Sequence, residues 1–213
     1  SLLGLRVYPD LLPETAAAAR WALALVTALL FFLSILLHEL AHAAVARAFG
    51  MPVKSITLFL LGGVAHISQE VKRPFAELLI AGAGPATSIL LSGLFLGCLL
   101  LGHDRRGALD VLWTWLWLTN LSVGIFNLVP GFPMDGGRIL RAGIWAVSGS
   151  YRWATRIAGW TGRAVALSLT ALGAAVALHL SPIAALDSGL FGGLWLVLIG
   201  LYLDNAARQS LVV

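Results

Sequence analysis

The chain has 213 residues, 59% of them apolar and only 11% charged, with a mean hydropathy of +0.90. A water-soluble globule carries about 25% charged residues, so this composition excludes one and points to a polytopic membrane protein. The net charge of +4 comes from basic residues scattered at loop ends rather than gathered in a patch, which argues for topology signals and against nucleic acid.

The chain opens at Ser1 without Met, and residues 1–9 read as the tail of a truncated first transmembrane helix. An apolar helix is expected over residues 15–49, with Pro13 and Glu14 before it and Gly50 and Pro52 as stop signals. At 1.5 Å per residue it would be about 50 Å long, more than the roughly 30 Å of a hydrocarbon core. Within it, after the apolar run 21–37, stands His38-Glu39-Leu40-Ala41-His42. Residues i and i+4 of a helix share a face, so both imidazoles can reach one ion, while Glu39 is turned about 100° from His38 and is free to act as a base on water. The competing reading is a pair of buried histidines that only pack within a bundle.

Residues 51–73 form the next element. Between 53 and 68 the pattern becomes β-branched and aromatic, broken at Gly62-Gly63 and flanked by Lys54, Glu70, Lys72 and Arg73, which predicts a short membrane-associated β-hairpin or re-entrant element. It is too short to span, so it should pack against helices or line a wet cavity. Four further apolar segments follow at 75–101, 108–128, 153–180 and 183–203, giving five to six transmembrane helices in an all-α membrane protein with a small hairpin or sheet. Gly93 with Gly97 and Gly189 with Gly193 have the spacing of close helix contacts. Trp21, Trp113, Trp153 and Trp195 sit near the ends of apolar runs, as interfacial belts require. The single cysteine, Cys98, excludes an intrachain disulfide and reads as a small apolar helix residue.

If the end of the first long helix faces the cytosol, then Arg47, Lys54, Lys72, Arg73, Arg138, Arg141, Arg152, Arg156, Arg163 and Arg208 gather on that side. Arg20, Arg105 and Arg106 fall on the other. This bias places the metal motif toward the cytosolic face.

Two histidines do not complete a catalytic zinc site, which takes three protein ligands and leaves one position open. Of ten acidic residues, Glu39 is assigned to water. Asp10, Glu14, Asp104, Asp110, Asp187 and Asp204 read as solvated groups at helix ends or loops, and Glu70 and Glu77 as interfacial charges beside the hairpin. Asp135 lies between residues 130 and 151, where two prolines break the chain before two glycines and a short helix. Such broken backbone at membrane depth is tolerated where it lines a cavity, and it can aim a carboxylate inward. A cap for a helix starting near Gly137 explains Asp135 equally well. His66 reads as a hydrogen-bonded bystander in the hairpin, and His103 and His179 as interfacial. Gly82-Ala83-Gly84-Pro85 lacks the third glycine of a dinucleotide loop, and no serine-hydrolase or nucleotide-binding string is present.

In order, His38-Glu39-xx-His42, Gly62-Gly63-Val64, Ala83-Gly84-Pro85 and Asn127-xx-Pro130-xx-Pro133-x-Asp135-Gly136-Gly137-Arg138 resemble the site-2 protease family of intramembrane zinc metalloproteases. The resemblance covers roughly residues 36–141. It implies His38, His42 and Asp135 as ligands of Zn2+, Glu39 as the catalytic glutamate, Asn127 as an active-site residue, and Gly62, Gly63 and Val64 as a place to hold substrate. It implies hydrolysis of a peptide bond in or near the transmembrane segment of a membrane-protein substrate, with the lipid bilayer as surroundings and homo-oligomerisation open. The family core has six transmembrane helices, and members with this pattern often carry cytosolic CBS domains, which are absent from residues 1–213. That span reads as one metalloprotease core. The alternatives are a membrane metal-ion transporter or scaffold, for which polar groups should line a path through both leaflets, and a di-iron oxygenase, for which five histidines are too few.

Overall fold

A computed structural model describes residues 16–59, 62–67, 71–102, 107–178 and 189–211, with the hairpin described by its backbone alone. The expectations for residues 1–9, Asp10, Glu14, Glu70, His103, Asp104, Arg105, Arg106, His179 and Asp187, and for the side chains of Lys54 and His66, lie outside the described residues. The elements run α1 (Ala17–Ala48), β1 (Val53–Phe59), β2 (Gly62–Ile67), α2 (Pro74–Leu101), α3 (Ala108–Asn127), α4 (Asp135–Ser148), α5 (Tyr151–Ala177) and α6 (Gly189–Gln209). Five of these helices are long and apolar enough to cross a membrane; α4, at 14 residues, is not among them. The last helix runs six residues past the expected end at 203, to Gln209, because Asp204 and Arg208 are accommodated within it.

Two compact units make up the chain, residues 1–70 with 83–126 and residues 71–82 with 127–213. In the first, α1 buries a stripe of small and polar residues, Ala24, Thr27, Ser34, His38, His42 and Ala46, at the three- and four-residue steps that keep one helix face. Leu25, Leu29, Phe32, Leu33 and Leu40 stand exposed around the rest of its surface. That inversion, small and polar groups inside and large apolar ones outside, suits lipid as solvent. Thr27 and Ser34 satisfy their hydroxyls within the helix, donating to the carbonyls of Leu23 and Leu30 at 2.8 and 2.9 Å. Phe95, Leu112 and Leu116 form the apolar centre, with Phe31, Leu91 and Trp117 packed against them. Ser92 Oγ donates across to the Trp117 carbonyl at 3.1 Å, tying α2 to α3. After the left-handed Gly50, where φ is 75°, β1 and β2 pair antiparallel with Phe59 opposite Gly62 and Leu58 opposite Gly63. Both strands lie beside α1.

The second unit is built on α5, where Ala154, Ala158 and Ala166 are fully buried along one stripe with Gly162. The absence of a side chain at Gly162 is a packing requirement, since a Cβ there would run into the backbone of Phe132. Phe132 N donates to the Ala158 carbonyl at 3.3 Å, so α5 is the floor on which the 131–134 turn rests. Gly162→Val is therefore expected to lower stability by about 1–3 kcal/mol through overpacking, with the turn before α4 becoming sensitive to protease. Chemical denaturation in detergent checks the first effect and limited proteolysis the second.

Helix α5 also meets α6 through glycine: a Cβ at Gly193 would strike Ala177 and the Gly173 carbonyl, and one at Gly200 would strike Thr170. A Cβ added at Gly93 or Gly97, which have the same four-residue spacing, would meet no neighbouring element within 4 Å among the described residues. The glycines that bring α5 and α6 together, Gly173, Gly193 and Gly200, are thus divided between the two helices.

Two carboxylates differ from their sequence assignment as solvated or interfacial charges. Asp204 is buried, accepting from Arg163 Nε at 2.9 Å and Arg208 Nε at 2.7 Å, so a charge on an apolar helix is matched by two guanidinium groups. Glu77, in the first turn of α2, is 0% exposed and ion-paired with Arg141 of α4. Burial and a guanidinium partner, rather than water, thus accommodate each of the two carboxylates.

Candidate metal centre

His38 and His42 stand one turn apart on the buried stripe of α1, their ring centroids 5.0 Å apart and their planes inclined at 76°. What they point at is decided by α2. A Cβ placed on Gly84 would collide with Nε2 of both His38 and His42, so the two nitrogens converge on a point of α2 that offers no side chain. Pro85, the next residue, is buried within the helix, and Gly124 of α3 closes on its carbonyl. The Gly84-Pro85 pair is thereby locked where the imidazoles need room.

The tautomer of His38 follows from its other nitrogen. Nδ1 lies 2.8 Å from Ser88 Oγ, and Ser88 is itself buried. For Nε2 to present a lone pair, Nδ1 keeps the proton and donates it to Ser88. Ser88 did not stand out in the sequence, yet its spacing of four from Gly84 puts both on one face of α2. Ser88→Ala is expected to weaken metal binding about 10- to 100-fold, as loss of an orienting partner does. A competition titration with a chromophoric chelator measures it.

Glu39 is buried with the histidines, about 100° round the helix from His38 and about 60° from His42. Asp135 is the first residue of α4. Met134 occupies the cap position and makes no side-chain cap bond, so the helix begins two residues earlier than Gly137 and Asp135 is not its cap. A carboxylate in the first turn is favoured by the helix dipole. One ligand atom from each of His38, His42 and Asp135 lies within 4.8 Å of the others, the histidines buried and the aspartate half-buried. Two imidazoles and a carboxylate are a donor set suited to a borderline divalent cation, and three ligands leave a coordination position open. Asn127 is the last residue of α3 and is half-buried. Gly62, Gly63 and Val64 form the start of β2, opposite Phe59, Leu58 and Thr57.

The sequence profile of peptidase family M50 matches residues 26–109 and 102–169, a span that holds both histidines, Glu39, Gly84, Asn127 and Asp135. The chain belongs to peptidase family M50. Among its M50 relatives, Rip3 of Mycobacterium tuberculosis, whose name describes a zinc metalloprotease, is 44% identical over 197 residues, which is 91% of this chain and 48% of that protein. A protein of Synechocystis, also named for a zinc metalloprotease, is 37% identical over 200 residues, covering 93% of this chain and 50% of that one. The chain thus spans about half the length of these two relatives. The solved site-2 protease of Methanocaldococcus jannaschii superposes with a TM-score of 0.64 at 32% identity, covering 91% of this chain and 79% of that structure. This M50 chain is accordingly of the site-2 protease type, and its apolar helices make it an integral membrane protein.

Proposed function

We propose that the protein is an intramembrane zinc metalloprotease that hydrolyses a peptide bond in or near the transmembrane segment of a membrane-protein substrate. His38, His42 and Asp135 would hold the zinc. The observation that carries this reading is that two imidazole nitrogens, from a helix whose outer face is apolar, and the Asp135 carboxylate lie within 4.8 Å of one another. When bound, zinc supplies a Lewis acid for a peptide carbonyl and lowers the pKa of water toward about 7. Glu39 takes the proton from the attacking water and returns it to the leaving nitrogen. Asn127, through its side-chain amide, is assigned to the substrate carbonyl.

A helical substrate hides its carbonyls in i to i−4 bonds and must be unwound locally before attack. The hairpin is a two-stranded sheet among the described residues, so its strands offer main-chain groups for an added strand, and the Gly62-Gly63-Val64 stretch of β2 is the proposed holding place. The cytosolic orientation of the site rests on Arg47, Lys54, Lys72, Arg73, Arg138, Arg152 and Arg156. Arg141, Arg163 and Arg208 add less to that bias, because each is paired with a carboxylate.

The transporter alternative needs polar groups along a path through both leaflets. On α1, Thr27 and Ser34 instead donate to carbonyls of their own helix, which supports the enzyme. Metal analysis of the purified protein tests the ligand set: about one zinc per chain is expected, with affinity falling at least tenfold in both His38→Ala and Asp135→Ala. Two metals per chain, or indifference to Asp135, would sink the assignment.

A further inference from the structure

Glu77 is the group in the second unit whose chemistry the proposed reaction leaves unused. It is fully buried and uses a single oxygen, Oε1, to accept from Arg141 Nε at 2.9 Å and from Arg141 Nη2, while Oε2 has no hydrogen-bond partner among the described residues. The guanidinium of Arg141 lies 4.9 Å from the centroid of Phe132 and 4.8 Å from that of Tyr151. Tyr151 in turn meets Trp145 edge-on at 5.0 Å. Phe132 is three residues before Asp135, in the turn whose backbone rests on Ala158 and Gly162.

We infer that Glu77 and Arg141 are a positioning pair for the carboxylate of Asp135, an inference that rests on Asp135 being a zinc ligand. A buried ion pair is a poor source of stability, since apolar residues of similar volume serve as well or better; its gain is geometric. Glu77 fixes the plane of the Arg141 guanidinium. That plane is held against two aromatic rings, one of which belongs to the turn that delivers Asp135. Only arginine combines a flat cation with donors in its own plane, so lysine cannot substitute. A metal ligand must be held to within about 0.5 Å, and a clamp three residues upstream acts at that scale.

The test is a double-mutant cycle on zinc affinity, read in detergent by competition with a chromophoric chelator. Glu77→Gln and Arg141→Lys are each expected to weaken zinc binding about tenfold or more. In an Asp135→Ala background, where His38 and His42 give the residual binding, the same two substitutions should cause no further loss. Equal losses in both backgrounds would overturn the inference, because the pair would then support the fold at large; so would unchanged affinity in the parent background. If Asp135→Ala alone leaves zinc affinity intact, it is the ligand assignment that fails. Should those two variants not fold, Tyr151→Leu removes one ring from the clamp and keeps the ion pair. Its expected loss of about threefold must likewise vanish without Asp135.

Discussion

Glu39→Gln is expected to keep about one zinc per chain and to cleave about 10²- to 10⁴-fold more slowly, the usual contribution of a positioned general base. The change is nearly isosteric and touches neither His38 nor His42. It removes the group able to accept a proton while leaving the volume of a buried position on α1 unchanged. Metal content and cleavage should therefore separate, which distinguishes a proton-transfer residue from a ligand. A Glu39→Gln protein that binds zinc and still cuts at the parental rate would remove Glu39 from the mechanism. One that loses zinc along with activity would make it a ligand or an orienting group.

The second large effect belongs to a residue with no side chain. Gly84→Ala places a methyl group where Nε2 of both histidines converge, closer than atoms can approach. Relief by moving α2 is blocked, because Gly124 already packs on the Pro85 carbonyl and on Ser88. The histidines must instead turn outward, and His38 would give up its bond to Ser88. Zinc binding is expected to fall by about 10³-fold, as two of three ligands are displaced together, and activity with it. The apoprotein should remain folded, since the methyl enters the ligand space rather than the apolar centre around Phe95, Leu112 and Leu116. Equilibrium dialysis against zinc, beside thermal unfolding of the metal-free protein, measures both; tight zinc binding in this variant would contradict the convergence of the two nitrogens.

The membrane helices were legible in the sequence because hydropathy is a local property. Four of the expected spans differ from α1, α2, α3 and α5 by no more than three residues at any end. The histidine pair was legible for the same reason, its i, i+4 spacing being the geometry of one helix face. What was hidden depends on partners remote in sequence. Glu77 beside a charged hairpin looks interfacial until Arg141, 64 residues on, is found to neutralise it. Asp204 resembles a solvated helix end until Arg163, 41 residues earlier, is seen against it. Asp135 could serve equally as a cap or as an inward-aimed carboxylate, and the start of α4 at Asp135 itself decides against the cap. The Gly93 and Gly97 spacing misled because close contact needs a small residue on the facing helix too, as Gly173 provides for Gly193.

The proposed activity is the cutting of a peptide bond with a zinc held by His38, His42 and Asp135. The most direct measurement reconstitutes the purified protein in liposomes with a labelled single-span membrane protein and follows the fragments by mass spectrometry. Chelator should abolish cleavage within the span, restored zinc should recover it, and Asp135→Ala should show neither. Cleavage that persists in chelator, or that survives in Asp135→Ala, would contradict the account.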